Sequence, residues 1–292
     1  MDTEKRLERY RDADAWPTEE SLAAMLENQM GAFAAVRDAL PMLAEACRQA
    51  AQRLDSGGRL VYVGAGASGR LAVQDGVELL PTFSWPRDRI IYLMAGGTKA
   101  LVDSVEGAED DAAAGAAAID NSAVGAQDVV VSVAASGTTQ FTRGAQNRAS
   151  ERGALTVAMA NNPGAPLLTE ADIPILLYTG PEFLAGSTRM TAGTAQKVAL
   201  NMFSTQTMIE LGRVYHGFMV NVVPANAKLV DRSKRIIQAI TDCDDATVEA
   251  AWSDSEGDLK LAILLVDGLT REEARARLEQ AGGNLRVARP AS

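Results

Sequence analysis

Histidine is almost missing from this sequence. His216 is the single one in 292 residues, and cysteine occurs only as the widely separated Cys47 and Cys243. A zinc site with its usual three or four nitrogen and sulfur ligands cannot be built from that supply, so no metal is expected. Most histidine-dependent catalysis is excluded with it, unless His216 is itself the base. A basic surplus is lacking too: 28 Lys and Arg stand against 38 Asp and Glu, a net charge of −10. Nucleic acid and anionic membrane surfaces are poor partners for such a chain. No apolar run approaches transmembrane length, and the charged opening MDTEKRLERYRDADAW leaves no room for the apolar core of a secretory signal. Two distant cysteines without such a signal read as reduced thiols in a cytoplasm. What is present, 47% hydrophobic and 23% charged residues, is ordinary for a soluble globular protein. The length suits one large domain or a core with small appendages.

Residues 1–56 read as helical. Thr18 stands as an N-cap before Glu19 and Glu20, which favour the helix dipole. SLAAMLENQMGAFAAV then carries Leu22, Met25, Met30 and Phe33 at helical spacing. A second helix spans about 40–54 and stops at Ser56-Gly57-Gly58. Across 57–230 the pattern changes. Five short apolar runs each end in small residues: RLVYVGAGASG (59–69), RIIYLMAGG (89–97), DVVVSVAASG (128–137), LTVAMANNPG (155–164) and IPILLYTGPE (173–182). Helical stretches lie between them, near 68–80, 98–118, 139–152 and 187–211, the second including the alanine-rich AAAGAAA. β-Branched runs alternating with helices predict an α/β fold around a doubly wound five-stranded parallel sheet, with ligands beyond the strand C-termini. Residues 231–292 read as a small helical domain. In it Thr270 caps a helix with Glu272 and Glu273 in its first turn, and Gly282-Gly283 closes it.

GAGASG (64–69) satisfies G-x-G-x-x-G after a strand. The dinucleotide fingerprint also needs an acidic residue near the end of the next strand, and that strand ends Met94-Ala95-Gly96-Gly97. What remains is a loop that admits a ligand to the backbone at Gly66, a helix N-terminus that favours an anion, and the Ser68 hydroxyl. Ser136-Gly137-Thr138-Thr139 repeats this arrangement after the third strand. Either loop alone reads equally as a tight turn with a Ser/Thr cap. The pair, without a P-loop lysine, points to a phosphosugar-type pocket. Two acidic segments follow. Glu78 lies near the end of the helix begun by GAGASG, just ahead of a stop at Pro81. Glu106, Glu109, Asp110 and Asp111 lie early in the helix after RIIYLM. Acids near a helix start are ordinarily solvated decoration, and on the residues alone that reading stands.

GGRLVYVGAGASGRL, ELLPTF, VEGAEDD, DVVVSVAASGTT, GSTRMTAGTAQKVALNM and LGRVYHGFMVNVVPANAKL follow in this order. Together they resemble the N-acetylmuramic acid 6-phosphate etherase family, a branch of the sugar isomerase (SIS) domain proteins related to the glucokinase regulatory protein. The resemblance spans about residues 20–285, and GSTRMTAGTAQK (186–197) is particularly specific. It implies a SIS domain over 57–230. It also implies cleavage of the D-lactyl ether of N-acetylmuramate 6-phosphate to N-acetylglucosamine 6-phosphate and D-lactate, with no cofactor, by a homodimer whose active site lies near the subunit interface. The family's acid falls on Glu78 and its second catalytic glutamate on Glu109. Ser68, Ser136, Thr138 and Thr139, with Gly66 and Gly137, fall in its phosphate loops; Ser187 and Arg189 fall in its G-S-x-R-M segment. Arg189 and Lys197 read equally as a structural ion pair at a subunit interface, and Val198, Leu200, Met202 and Met208 as core packing. His216, in a Tyr-His-Gly turn, matches no family role and reads as a surface or supporting residue.

The chain departs from the family pattern in places. D-A-S-E-C-P-P-T reads D-G-V-E-L-L-P-T, an arginine beside the phosphate loop becomes Thr138, and one loop hydroxyl is lost at Ala67. Thr3-Glu4 of an N-terminal T-E-x-x-N motif is kept without its asparagine. Two other functions stay open: a non-catalytic phosphosugar-binding regulator, and a phosphosugar isomerase. Retention of Glu78 and Glu109 favours the lyase, scarcity of histidine counts against the isomerase, and Thr138 favours a shifted ligand.

Overall fold

The computed structural model describes residues 1–224 and 226–289. The chain divides into two compact units, one of residues 1–77 with 87–207, the other of 78–86 with residues from 208 onward.

The first unit opens with helices α1 (Thr18–Asp38) and α2 (Leu40–Asp55). Thr18 is the first helical residue and makes no cap; Pro17 precedes the helix instead. Strand β1 (Leu60–Gly64) leads to α3 (Gly66–Val77), and α4 (Leu79–Phe83) belongs to the second unit. Then come β2 (Ile90–Met94), α5 (Ala112–Asn121), β3 (Val129–Val133), α6 (Gln140–Glu151), β4 (Leu155–Ala160), α7 (Pro166–Thr169), β5 (Ile173–Leu176) and α8 (Thr191–Glu210).

The strands form one parallel sheet in the order β2-β1-β3-β4-β5. The central strands β1, β3 and β4 are buried along their whole length, as their continuous apolar sequences require. Edge strands β2 and β5 are only partly covered. Pro174 sits in β5, where a missing N–H on the open side breaks no ladder. On one face Ile119 of α5 and Phe141, Ala145 and Ala149 of α6 pack on Val61, Val63 and Val130. On the other, Gly76 of α3 lies on Tyr62 and Tyr92, so close that a Cβ there would stand 2.5 Å from the Tyr92 ring. Helices thus cover both faces, the doubly wound architecture expected. Order 2-1-3-4-5 reverses its winding between β1 and β3, and the C-terminal edge at that point is the crevice where such sheets bind ligands.

The second unit contains the hairpin β6 (Val214–Tyr215) and β7 (Phe218–Met219). His216 and Gly217 form its two-residue turn, both with positive φ. His216 is exposed and stacks on Tyr215. Helices α9 (Ala227–Thr241), α10 (Asp245–Asp254), α11 (Leu259–Val266), α12 (Arg271–Gln280) and α13 (Leu285–Ala288) follow. The Thr270–Glu273 capping box opens α12 as expected. This division departs from the three segments read from the sequence. Residues 1–56 fall in the sheet's unit, and the second unit takes residues 78–86 together with those from Met208 onward. The reason is that Tyr215 and Val220 share one core with Ile236, Ile237, Leu261 and Leu264. Residues 225 and 290–292 of those expected segments lie outside the described residues.

Lys260 of α11 is 9% exposed and donates to the Gly283 carbonyl. Burial first, and then the charge of Arg213, pull its ammonium down from 10.5 to about 8. Above about pH 8 the folded chain has lost a proton that the unfolded chain keeps to about pH 10.4. Stability therefore rises with pH across that window, by about 1.4 kcal/mol per pH unit at most. Lys260→Met should remove this slope from urea unfolding followed between about pH 8 and pH 10; an unchanged slope contradicts it.

Candidate active site

Two loops flank the β1/β3 switch. After β1 the chain turns at Gly66, φ 52°, straight into α3. The other two glycines of the motif serve packing. A Cβ at Gly69 would stand 2.4 Å from Met94 Sδ, and one at Gly64 2.7 Å from the Gly69 Cα. Met94 thus fills the place where a dinucleotide site needs an acid. Ser68 is buried, and its hydroxyl has no hydrogen-bond partner among the described residues.

After β3, Gly137 at φ 69° packs so tightly on Ala165 that a Cβ would stand 2.4 Å from it. Ser136 Oγ accepts from the Thr138 amide (3.1 Å) and hydroxyl (3.2 Å) and lies 3.5 Å from Thr139 Oγ1. Three hydroxyls thereby gather at the head of the twelve-residue helix α6, a constellation suited to an oxyanion.

Glu109 stands in a single 3-10 turn, Ala108–Asp110, ahead of α5 rather than within the helix. The cause is Asp111, whose carboxylate accepts from the Ala114 amide at 2.8 Å and so fixes the helix start after it. Glu109 lines a cavity of about 350 Å³ together with Gly66, Arg70, Met94, Ser104 and Glu106. Arg70 holds this wall in place, donating through Nε to the Ala100 carbonyl and through Nη2 to that of Asp103, each at 2.9 Å. The structure therefore brings Glu109 and Gly66 together.

Glu78 lies at the end of α3, directly after its last residue, Val77, and is also the N-cap of α4. It caps the start of α4 with the Thr82 amide donating to its carbonyl at 3.1 Å. Pro81 is no stop: it sits in the first turn of α4, where a missing N–H costs nothing. Leu79, Phe83 and Trp85 are buried, Arg213 stacks over the Trp85 ring, and the Glu78 side chain is left exposed. Glu78 falls in the second unit and Glu109 in the first.

The G-S-x-R-M segment is a tight turn: the Ser187 amide donates to Leu184 O and the Met190 amide to Ser187 O. Arg189 is exposed. Neither it nor Lys197 forms an ion pair among the described residues; Lys197 donates to Asn201 Oδ1. Of the apolar stripe, Leu200 and Met208 are buried but Met202 is exposed. No group of three His, Cys, Asp or Glu among the described residues could hold a metal ion.

The glucokinase regulatory protein N-terminal SIS domain model matches residues 42–149, and the SIS domain model residues 111–207. An N-acetylmuramic acid 6-phosphate etherase from Deinococcus radiodurans is 50% identical over 278 residues, 95% of this chain and 91% of its own. The chain belongs to the N-acetylmuramic acid 6-phosphate etherase family. A second etherase, from Rubrobacter xylanophilus, is 45% identical over 98% of this chain and 95% of that one. Among solved structures, a phosphoheptose isomerase from Francisella tularensis superposes with a TM-score of 0.50 at 18% identity, over 67% of this chain and 98% of that one. That likeness carries the α/β SIS fold alone.

In this etherase-family chain several buried polar residues escaped sequence reasoning. Glu182 is fully buried, and its carboxylate accepts from the Thr191 (2.8 Å) and Ala192 (2.9 Å) amides, capping α8 from nine residues away. Asp75 accepts from Tyr62 Oη and Asn201 Nδ2 at 2.7 and 2.6 Å. Asn162, just past β4, accepts from the Asp2 and Thr3 amides and donates to Thr3 Oγ1. Only Asn161-Asn162-Pro163-Gly164 held a signal, a polar turn at the end of an apolar strand.

Proposed function

We propose that the chain acts as a carbon–oxygen lyase on N-acetylmuramate 6-phosphate, releasing N-acetylglucosamine 6-phosphate and D-lactate by β-elimination and addition of water. In the ring-opened sugar the C2 proton is α to the aldehyde. Its removal leaves a carbanion at C2, stabilised as the enolate; that electron pair then forms a C2–C3 double bond, the C3–O bond to lactate breaks, and the lactate oxygen takes a proton. Water then adds at C3 and a proton returns to C2. One base and one acid suffice for every step, so no cofactor takes part. Glu109 acts as the base and Glu78 as the acid that protonates the leaving oxygen. The hydroxyls of Ser136, Thr138 and Thr139 bind the phosphate at the head of α6, with Gly66, Ser68, Gly137, Ser187 and Arg189 completing its surroundings. The observation that carries this reading is Glu109 on the wall of a cavity shared with the Gly66 loop, at the C-terminal edge of the sheet. In water enriched in deuterium and heavy oxygen, the N-acetylglucosamine 6-phosphate formed should carry solvent oxygen at C3 and deuterium at C2. Solvent oxygen entering lactate instead would rule out this elimination.

The same reading takes the protein as a cytoplasmic homodimer; no helix among the described residues is long and apolar enough to cross a membrane. On α1, Leu22, Leu26, Met30 and Phe33 recur at helical spacing yet are each 59–66% exposed. Such a row calls for a covering partner. Light scattering should give twice the chain mass, and Leu26→Glu with Met30→Glu the single mass. A monomeric parent protein at micromolar concentration would contradict this.

A further inference from the structure

The first residues of the chain are built into the sheet's C-terminal edge. Thr3 is fully buried, and Asn162 beside it nearly so. Asn162 Oδ1 accepts from the amides of Asp2 (2.8 Å) and Thr3 (3.3 Å). Its Nδ2 donates both to Thr3 Oγ1 (3.1 Å) and to the carbonyl of Ala135 (2.9 Å), the residue immediately before Ser136. On the other side, the amide of Gly186, the residue immediately before Ser187, donates to the Thr3 carbonyl at 3.0 Å. Gly186 stands at φ 76°, and a Cβ there would lie 2.8 Å from the Glu4 carboxylate. Tyr178, just past β5, donates to Asp2 at 3.1 Å. Thr3 is therefore the point at which the two hydroxyl-bearing loops meet.

A hydroxyl that merely filled a core would be replaceable by a methyl. This one completes the second hydrogen bond of an amide whose other hydrogen fixes the Ala135 carbonyl. We propose that Asp2–Glu4 braces the phosphosugar site from behind its loops and that Thr3 is a positioning residue, holding the Ser136–Thr139 and Gly186–Arg189 loops at the separation a phosphate group requires. The proposal rests on the reading of those loops as the phosphate site. Thr3 touches no substrate; it acts through Asn162 and Gly186. Its loss should weaken binding of the phosphate without altering proton transfer.

Thr3→Val keeps the shape and removes the hydroxyl. We expect KM for N-acetylmuramate 6-phosphate, and the inhibition constant of inorganic phosphate, to rise together by about tenfold while kcat stays within about twofold. Thr3→Ser, which restores the hydroxyl, should recover both. A folded Thr3→Val protein with unchanged KM and unchanged phosphate inhibition overturns the proposal, as does a fall in kcat and melting temperature at constant KM. Should Thr3→Val fail to fold, hydrogen exchange on the parent protein decides. Saturating inorganic phosphate should slow exchange in peptides covering residues 1–7 and 184–190, and unaltered exchange there overturns the proposal. The hydrogen-exchange measurement with inorganic phosphate needs no turnover, so a parent protein that released no lactate would sink the etherase reading while still testing this one.

Discussion

Glu109→Gln should lower the rate of D-lactate release by on the order of 100-fold or more, the usual scale for a general acid–base group, with the unfolding midpoint unmoved. Two structural facts make this a clean experiment. The Glu109 side chain is exposed and accepts no hydrogen bond or ion pair among the described residues, so the amide isostere breaks nothing in the fold. Its neighbour Asp111 has a separate structural duty as the cap of α5. Asp111→Ala should therefore cost stability, about 1 kcal/mol, and leave the chemistry in place. Were Glu109 the solvated decoration that acids near a helix start usually are, Glu109→Gln would behave like a surface change, and a near-normal rate would remove it from the mechanism.

Glu78→Gln should lose a comparable factor, on the order of 100-fold or more, but at a different step. Removing the acid leaves the C2 proton abstractable, so the substrate should still exchange hydrogen with deuterated solvent at C2 while lactate release is lost. Glu109→Gln should lose both. If the two variants show the opposite pattern, the roles are exchanged; if neither loses rate, both assignments fall. Glu78 suits this test because Leu79, Phe83 and Trp85 provide the burial that holds α4, while the carboxylate itself is exposed and unpaired among the described residues.

The sheet was legible because its signal is local and repeated. Each of the five apolar runs became a strand, and their β-branched continuity reports burial on both faces. The loops after β1 and β3 were legible for the same reason, since Gly66 and Gly137 both need positive φ. Errors arose where one residue type has two uses. Pro81 looked like a helix stop, yet proline is equally at home in a first turn. Asp111 looked like one more acid in a solvated run, and it sets where α5 begins. The α1 row of Leu22, Met30 and Phe33 reads as an ordinary amphipathic face, and sequence spacing does not say whether that face is covered. Least legible were Thr3, Asn162 and Glu182. Thr3 and Asn162 bond across about 160 residues of sequence, a separation that leaves no local pattern, and Glu182 caps a helix that starts nine residues after it, beyond the usual capping position.

The central claim is that this etherase-family chain performs the etherase reaction despite the changes at Ala67, Val77, Leu79 and Thr138. The most direct measurement is the D-lactate formed when the purified protein is incubated with N-acetylmuramate 6-phosphate. The assignment predicts D-lactate in equal amount to N-acetylglucosamine 6-phosphate, at an unchanged rate in the presence of a metal chelator. No D-lactate at high protein concentration, from a folded protein that still binds the phosphosugar, would contradict it and leave a phosphosugar-binding regulator in its place.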